Sequence, residues 1–212
     1  MRLTPKGAAA MENKSPTHVF GRGDDLQMRM GLDPVRGPMV AAIIVFAGNI
    51  ENHLEQAIWR LEGFEPDGTR PPTDAKPTSE LVGMLNAVAQ SMELGAKRSM
   101  LDTWCEAARS ALEIRNNIAH GLTVSHGTTV TYIRNHRWGV ERKRPFGSLW
   151  TDISTLTMIR DSFATLLRII YAVSKGEPDT VSDETAARAL REARSILGEF
   201  ADWTYNPSFE KY

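Results

Sequence analysis

The residues from Arg115 to Gly121 include the side chains that cleavage of a phosphodiester requires. They read Arg-Asn-Asn-Ile-Ala-His-Gly. An arginine carries a permanent positive charge, and its planar fork matches a phosphate group. A histidine takes up and releases a proton near neutral pH, while the amides of Asn116 and Asn117 can orient either group. This set of residues predicts proton transfer beside a bound phosphate.

Their spacing places these residues at the end of one amphipathic helix. Arg115 falls in the helix's apolar stripe, and since a guanidinium keeps its charge there, it must be paired or open onto a polar cleft. The amides and His120 lie on a second side with Glu113, and Gly121 is expected to end the helix in the left-handed conformation. The stripe repeats at steps of three and four residues: Leu101, Trp104, Ala108, Ala111, Arg115 and Ile118.

Glu51 is the one acid in the apolar stripe of an earlier helix, which begins near Met39. We expect Glu51 and Arg115 to face each other where the two helices pack. Two interpretations stay open: an ion pair that only locks the helices together, and a supporting acid beside a working arginine.

The stretch from Arg115 to His120 resembles the signature of HEPN domains, which is an arginine, four to six residues with a polar one first, and then a histidine. The similarity covers roughly the first four of five predicted helices. The resemblance implies that Arg115 stabilises the pentavalent phosphorane and that Asn116 orients a reacting group, with Asn117 in support. It also implies that His120 activates the ribose 2′-hydroxyl or protonates the leaving oxygen.

The resemblance further implies a metal-independent endoribonuclease without a cofactor, toxin-like or defence-associated, which leaves 2′,3′-cyclic phosphate and 5′-hydroxyl ends. Many members of the family are homodimers in which two motifs meet in one cleft. The alternative is a non-catalytic HEPN-type interaction or RNA-binding protein, such as the helical partner of a nucleotidyltransferase. The implied partners are therefore RNA, a second copy of the chain, and an antitoxin or a nucleotidyltransferase.

A run of cations between Thr131 and Gly147 is the second feature with a chemical meaning. It holds five cations against Glu141, with Trp138 and Phe146 among them, a mixture that suits unpaired RNA. An exposed edge strand protected by charge explains the same pattern. The cations are Arg134, Arg137, Arg142, Lys143 and Arg144.

The composition limits the remaining possibilities. The 212 residues include 25 Lys+Arg and 26 Asp+Glu, which is ordinary for one soluble domain and argues against a uniformly basic surface. A single cysteine, Cys105, excludes an intrachain disulfide framework and a Cys-built zinc site. No cluster of Asp, Glu, His or Cys has the spacing of metal ligands, so we expect no metal site. No apolar run is long enough to span a bilayer, so we expect no membrane segment and a cytoplasmic location.

The predicted fold is all-α, a five-helix HEPN-like bundle with a small β-hairpin or meander insert between the third and fourth helices. The insert, residues 122–147, is rich in β-branched and aromatic residues. The helical domain is predicted over 39–204, with a flexible N-terminal tail at 1–38 and a C-terminal tail at 205–212. Helices are predicted over 39–62, from a side-chain cap at Thr78 or Ser79, and over 97–120, 152–174 and 182–203.

Overall fold

The structure is a computed structural model that describes residues 23–65, 67–136, 143, 146–177 and 183–202. These residues form six α-helices and three β-strands. The helices are α1 (Gly23–Arg29), α2 (Arg36–Glu62), α3 (Thr78–Ser91), α4 (Ala96–His120), α5 (Ile153–Lys175) and α6 (Glu184–Ala201). The strands are β1 (Leu122–His126), β2 (Thr129–Arg134) and β3 (Gly147–Thr151).

The prediction of a five-helix bundle is wrong, because the described residues contain six helices. The additional helix, α1, lies inside the segment 1–38 that was predicted to be a tail. It buries no residue. A helix without a buried face needs no apolar stripe, so no periodic signal marks it in the sequence. The segment after α1 joins the domain: Arg36 is only 8% exposed, and its guanidinium binds the Asp33 carboxylate and the Thr128 carbonyl. Residues 1–22 and 205–212 lie outside the described residues.

The other five helices lie close to the predicted ranges, because each buries an apolar stripe in one core. Gly63 and Gly176 end α2 and α5 in the left-handed conformation. The Asp152 carboxylate accepts from the Thr155 backbone N–H at 2.8 Å and so caps α5. The predicted side-chain cap of α3 is wrong, since Pro77 precedes that helix and no side chain caps it.

The insert is a three-stranded antiparallel sheet in the order β1-β2-β3. Its third strand starts where the predicted insert ends and leads directly into α5, so the sheet extends beyond residues 122–147. Leu122 pairs with Ile133 across β1 and β2, and Arg134 pairs with Gly147 across β2 and β3. Val130, Tyr132 and Leu149 are buried and attach the sheet to the helical core.

The sheet lies at one end of the helical bundle and fixes the direction of three helices. The start of α2 reaches it through Arg36 and Thr128, the end of α4 enters it at Gly121, and α5 leaves it after β3. Helices α2 and α5 therefore run parallel to each other, and α4 runs antiparallel to both.

Helix α3 covers only the half of α2 that is remote from the sheet. The start of α3 lines one cavity with Ala47 and Ile50, whereas its last turns lie against Leu61 and Glu62. Because α3 runs away from the sheet in parallel with α2, it leaves the sheet end of α2 uncovered. No helix among the described residues has the length and apolar character needed to cross a membrane.

Candidate functional site

Arg115 lies near the sheet end of α4, one turn beyond a small cavity in the core. That cavity is lined by Ala47 of α2, by Ala111 of α4, by the start of α3, and by Phe163 and Leu166 of α5. Arg115 itself does not line it.

Arg115 is half-buried and makes no hydrogen bond or ion pair with any residue that the structure describes. The sequence offered two environments for a guanidinium in an apolar stripe, a partner or an open cleft. In the structure the buried positions of this stripe are Ala111, Ile114 and Ile118, so Arg115 lies at the edge of the stripe. Because it has no partner among the described residues, its charge is left for solvent or for an anion from outside.

The predicted ion pair between Glu51 and Arg115 is wrong. Neither residue is among the ion pairs of the described residues. Ile50 and Ala111 line the same cavity between the two helices. Glu51 follows Ile50 away from the sheet, whereas Arg115 lies one turn from Ala111 toward the sheet, so the antiparallel helices place the two residues on opposite sides of this level.

His120 is the last residue of α4 and is exposed, and Asn116 is half-buried one turn before it. Five residues of α-helix correspond to a rise of about 7.5 Å from Arg115 to His120. Arg115, Asn116, Ala119 and His120 therefore occupy adjoining positions on the last turn and a half of α4.

Gly121 does not adopt the predicted left-handed conformation; its φ is −83° and its ψ is 149°, which is extended. A side chain at this position would collide with the Asn117 carbonyl oxygen and press on the backbone of β2. Glycine is required here by the close approach of helix and sheet rather than by backbone conformation. The helix thus passes into β1 without a loop, which holds His120 against the sheet.

Asn117 and Glu113 attach the other side of the same helical segment to the sheet through Arg134. Asn117 is 0% exposed, and its Oδ1 accepts from Arg134 Nε at 3.1 Å. A second guanidinium nitrogen of Arg134 forms an ion pair with Glu113. Gly147, opposite Arg134 in the register, leaves no space for a side chain, since a Cβ atom there would overlap Asn117 Oδ1. We call this cluster the Arg134 pin.

The predicted RNA-binding run is divided by these contacts. Arg134 was predicted to contact RNA, but its side chain is 15% exposed and engaged by Glu113 and Asn117, so it belongs to the framework of the site. Lys143 is exposed. Arg137, Arg142 and Arg144 lie outside the described residues.

The Arg134 pin is the part of the site that sequence reasoning missed. The signal was present in the spacing of Glu113 and Asn117, which lie four residues apart and so share one helix face. Their partner lies on a strand, and sequence spacing alone does not indicate which strand residue reaches a helix.

The titratable groups whose pKa is shifted lie outside this site. Burial raises the pKa of the Cys105 thiol to about 12, which makes it an inert core residue. Burial also raises the pKa of Tyr132 to about 12 against a partly opposing effect of Arg36. Among the described residues no group of three or more His, Cys, Asp or Glu side chains is arranged to hold a metal ion.

Comparisons of the chain with protein-family models, with curated proteins and with solved structures find no match.

Proposed function

We propose that this protein is a metal-independent endoribonuclease, with Arg115, His120 and Asn116 as its catalytic residues. The observation that carries the proposal is that Arg115 is half-buried and has no hydrogen bond or ion pair to a described residue. A permanent cation at the edge of the buried stripe, without a partner among the described residues, suits an external phosphate. The exposed imidazole of His120 on the same helix end supplies a group that transfers protons.

In the proposed reaction the neutral His120 imidazole takes the proton of a ribose 2′-hydroxyl. The 2′-oxygen attacks the adjacent phosphorus, so that a P–O2′ bond forms and the P–O5′ bond breaks. Arg115 donates hydrogen bonds to the non-bridging oxygens and stabilises the charge that builds up on them. The departing 5′-oxygen takes up a proton, and the products carry a 2′,3′-cyclic phosphate and a 5′-hydroxyl group.

Asn116 is suited to orient the attacking hydroxyl or the imidazole, because it lies one helical turn from His120 on the same side. Asn117 has a different place in the proposal. It is fully buried in the Arg134 pin, so its role is to hold the turn that carries the other three residues.

We include in the proposal that the active form is a homodimer, as the motif's resemblance implies. A second copy would supply a second His120, and the leaving oxygen could take its proton from that imidazole.

The test is end-group analysis of a defined oligoribonucleotide incubated with the purified full chain in excess EDTA. We expect cyclic phosphate ends from the wild type, and no cleavage of the matching 2′-deoxy oligomer. His120→Ala should lower the rate by at least about 100-fold, because a positioned acid–base group contributes about 10²–10⁴ to a rate. Arg115→Ala should lower it to a similar extent.

His126→Ala is the matched control, since His126 is another exposed histidine, located at the turn end of β1. Its rate should equal that of the wild type. Absence of cleavage by the wild type, or equal cleavage by His120→Ala, would contradict the proposal and favour the non-catalytic interaction protein.

A further inference from the structure

A second group of cations lies far from the sheet, where α2 and α5 run side by side. Arg60 lies near the end of α2, and Arg168 and Lys175 lie in the last two turns of α5. All three side chains are exposed, and none of them forms an ion pair with a described residue. We call these three residues, together with His53 and Tyr171, the Tyr171 patch.

Contacts between α2 and α5 hold the patch together. The rings of His53 and Tyr171 meet edge to face, with their centroids 4.9 Å apart, and Lys175 Nζ lies 5.7 Å from the centroid of the Tyr171 ring. The Ser174 hydroxyl donates its proton to the Tyr171 carbonyl oxygen at 2.7 Å and lies 3.3 Å from His53 Nδ1. Because that hydroxyl has only one proton, it accepts from His53. The imidazole therefore carries its proton on Nδ1, and Nε2 has no partner among the described residues.

Arg60 is held by packing rather than by a negative charge. Gly176 ends α5, and a Cβ atom at this glycine would overlap the Arg60 guanidinium. The guanidinium therefore lies against the backbone of the residue that follows Lys175. Glu55, an acid of α2 close to Arg60 in sequence, accepts from the Thr73 hydroxyl at 2.5 Å. Glu177 is exposed and forms no ion pair with a described residue, so the two neighbouring cations stay uncompensated.

The side chains around these cations are uncharged, and one of them is an exposed aromatic ring. Residues 162–176 contain no acid, and the residues one turn before and after His53 on α2 are the amides Asn49 and Gln56. Tyr171 is 43% exposed. Cations without acids suit a chain of phosphates, and an exposed ring beside amides suits an unpaired base.

We propose that the Tyr171 patch binds single-stranded nucleic acid, with its three cations at the phosphates and Tyr171 against a base. A membrane surface of anionic lipids would use the same charges, but it offers no planar group to stack on Tyr171. A double helix offers no unpaired base. The ring at the centre of the patch therefore favours a single strand.

That this strand is the substrate RNA rests on the proposed function. The patch and the proposed catalytic residues lie at opposite ends of the helical bundle, because α4 ends at the sheet whereas α2 and α5 end far from it. Helix α5 has 23 residues, which corresponds to a length of about 35 Å. An RNA that contacts both places must span a distance of this order, so the patch gives the proposed nuclease a preference for long RNA over short RNA.

The first test measures the affinity of the full chain for a fluorescent single-stranded oligoribonucleotide whose riboses are 2′-O-methylated. We expect the double variant Arg60→Ala with Lys175→Ala to bind about tenfold more weakly at low salt. The slope of log Kd against log salt should fall by about 1.4, since each phosphate contact to a single strand contributes about 0.7.

The matched control removes two other exposed cations, Lys97 on α4 and Arg191 on α6, which also form no ion pair with a described residue. Lys97→Ala with Arg191→Ala should bind like the wild type. Absence of binding by the wild type, or an equal loss in both double variants, would overturn the proposal. Binding to vesicles of anionic phospholipid without binding to the oligomer would identify a membrane surface instead and would also overturn it.

The second test concerns the ring. Tyr171→Ala should weaken binding by at least about fivefold, because an aromatic side chain that stacks on a base typically contributes this much or more. Tyr171→Phe keeps the ring and should bind like the wild type. Equal affinities of wild type and Tyr171→Ala would exclude stacking and contradict the assignment to a single strand.

The methylated oligomer separates this inference from the proposed nuclease, because it lacks the 2′-hydroxyl that would be attacked. His120→Ala should bind it like the wild type. On cleavable RNA, Arg60→Ala with Lys175→Ala should raise KM and leave kcat unchanged. A wild type that binds the oligomer but cleaves no RNA would refute the nuclease alone, whereas cleavage with an unchanged KM in this double variant would refute the patch alone.

Discussion

Arg115 and Arg134 are two arginines beside the same end of α4, and their surroundings give them different roles. Arg134 is held by Glu113 and Asn117, so its charge is compensated within the protein. Arg115 has no such partner among the described residues. Because an arginine keeps its charge when it is buried, a half-buried arginine without a partner indicates a site for an external anion, whereas a paired one indicates a structural link.

This contrast predicts opposite effects of two matched substitutions on thermal stability. Arg134→Ala leaves the buried Asn117 oxygen without a donor, a loss that typically costs about 1–3 kcal/mol. Since about 1 kcal/mol shifts the melting temperature of a chain of this size by about 2–4 °C, we expect a decrease of several degrees. Arg115→Ala removes no hydrogen bond or ion pair to a described residue and should change the melting temperature by less than about 2 °C. Calorimetry on both variants measures this, and a large decrease for Arg115→Ala would show that Arg115 is structural.

Tyr132 supports a prediction on pH dependence. Burial raises its pKa from 10.0 to about 12 in the folded state, and its hydroxyl has no hydrogen-bond partner among the described residues. The folded state thus binds this proton more tightly than the unfolded state does. The stability that this tyrosine contributes is complete below pH 10 and is lost as the pH rises toward 12.

Tyr132→Phe should therefore flatten the decline of unfolding free energy between pH 10 and pH 12. At pH 7 the variant should be as stable as the wild type or slightly more stable, because it removes an unpaired buried hydroxyl. Urea unfolding of both proteins at pH 7 and at pH 11 gives the comparison. A variant that loses more than about 1 kcal/mol at pH 7 would reveal a hydrogen bond to the hydroxyl.

At the scale of elements, the end of α4 is held where it touches the sheet rather than by a cap of its own. Gly121 and Gly147 allow this contact, since a side chain at either position would overlap Asn117. The sheet thereby holds one side of the segment that carries Arg115 and His120. The opposite, more exposed side of this segment remains available to a substrate. A site with this support keeps its geometry without contributing contacts to the core.

Gly147→Ala tests this support. The added methyl group cannot be accommodated unless Asn117 moves, so we expect a loss of about 1–3 kcal/mol in unfolding free energy. Gly83→Ala is the control: Gly83 lies inside α3 with open space around it, and alanine there should stabilise the helix by about 0.5–1 kcal/mol. Chemical denaturation distinguishes the two signs. Equal effects of both substitutions would contradict the close contact of Asn117 and Gly147.

Periodicity was sufficient to place α2, α3, α4, α5 and α6, because each has an apolar stripe that the core buries. It was insufficient for α1, which buries nothing. It placed Arg115 in the core-facing stripe, whereas the buried residue at that turn is Ile114 and Arg115 is half-buried at the edge. It also gave no position along the neighbouring helix, and so the pairing with Glu51 was wrong. Arg134 was assigned to a charged surface, because a linear run of cations does not distinguish side chains that turn inward.

At the scale of the whole molecule, the sheet gathers three helix ends that are distant in sequence. The start of α2, the end of α4 and the start of α5 meet there, and the proposed catalytic residues lie beside this junction. Farther from the sheet, α3 packs against α2, whereas Ile44, Val45 and Gly48 of α2 are exposed at the sheet end. The proposed active site therefore lies at the end of the described domain where α2 is less completely covered.

The uncharged half of α2 also affects how the chain is made. Its main partner within the chain is α5, which runs parallel to it and begins only at Ile153. Because the chain is made from its N-terminus, α2 is complete before α4, the sheet and α5 have been translated. A fourteen-residue uncharged segment, from Gly37 to Ile50, thus waits without its partner, which is the condition in which nascent chains aggregate or recruit chaperones.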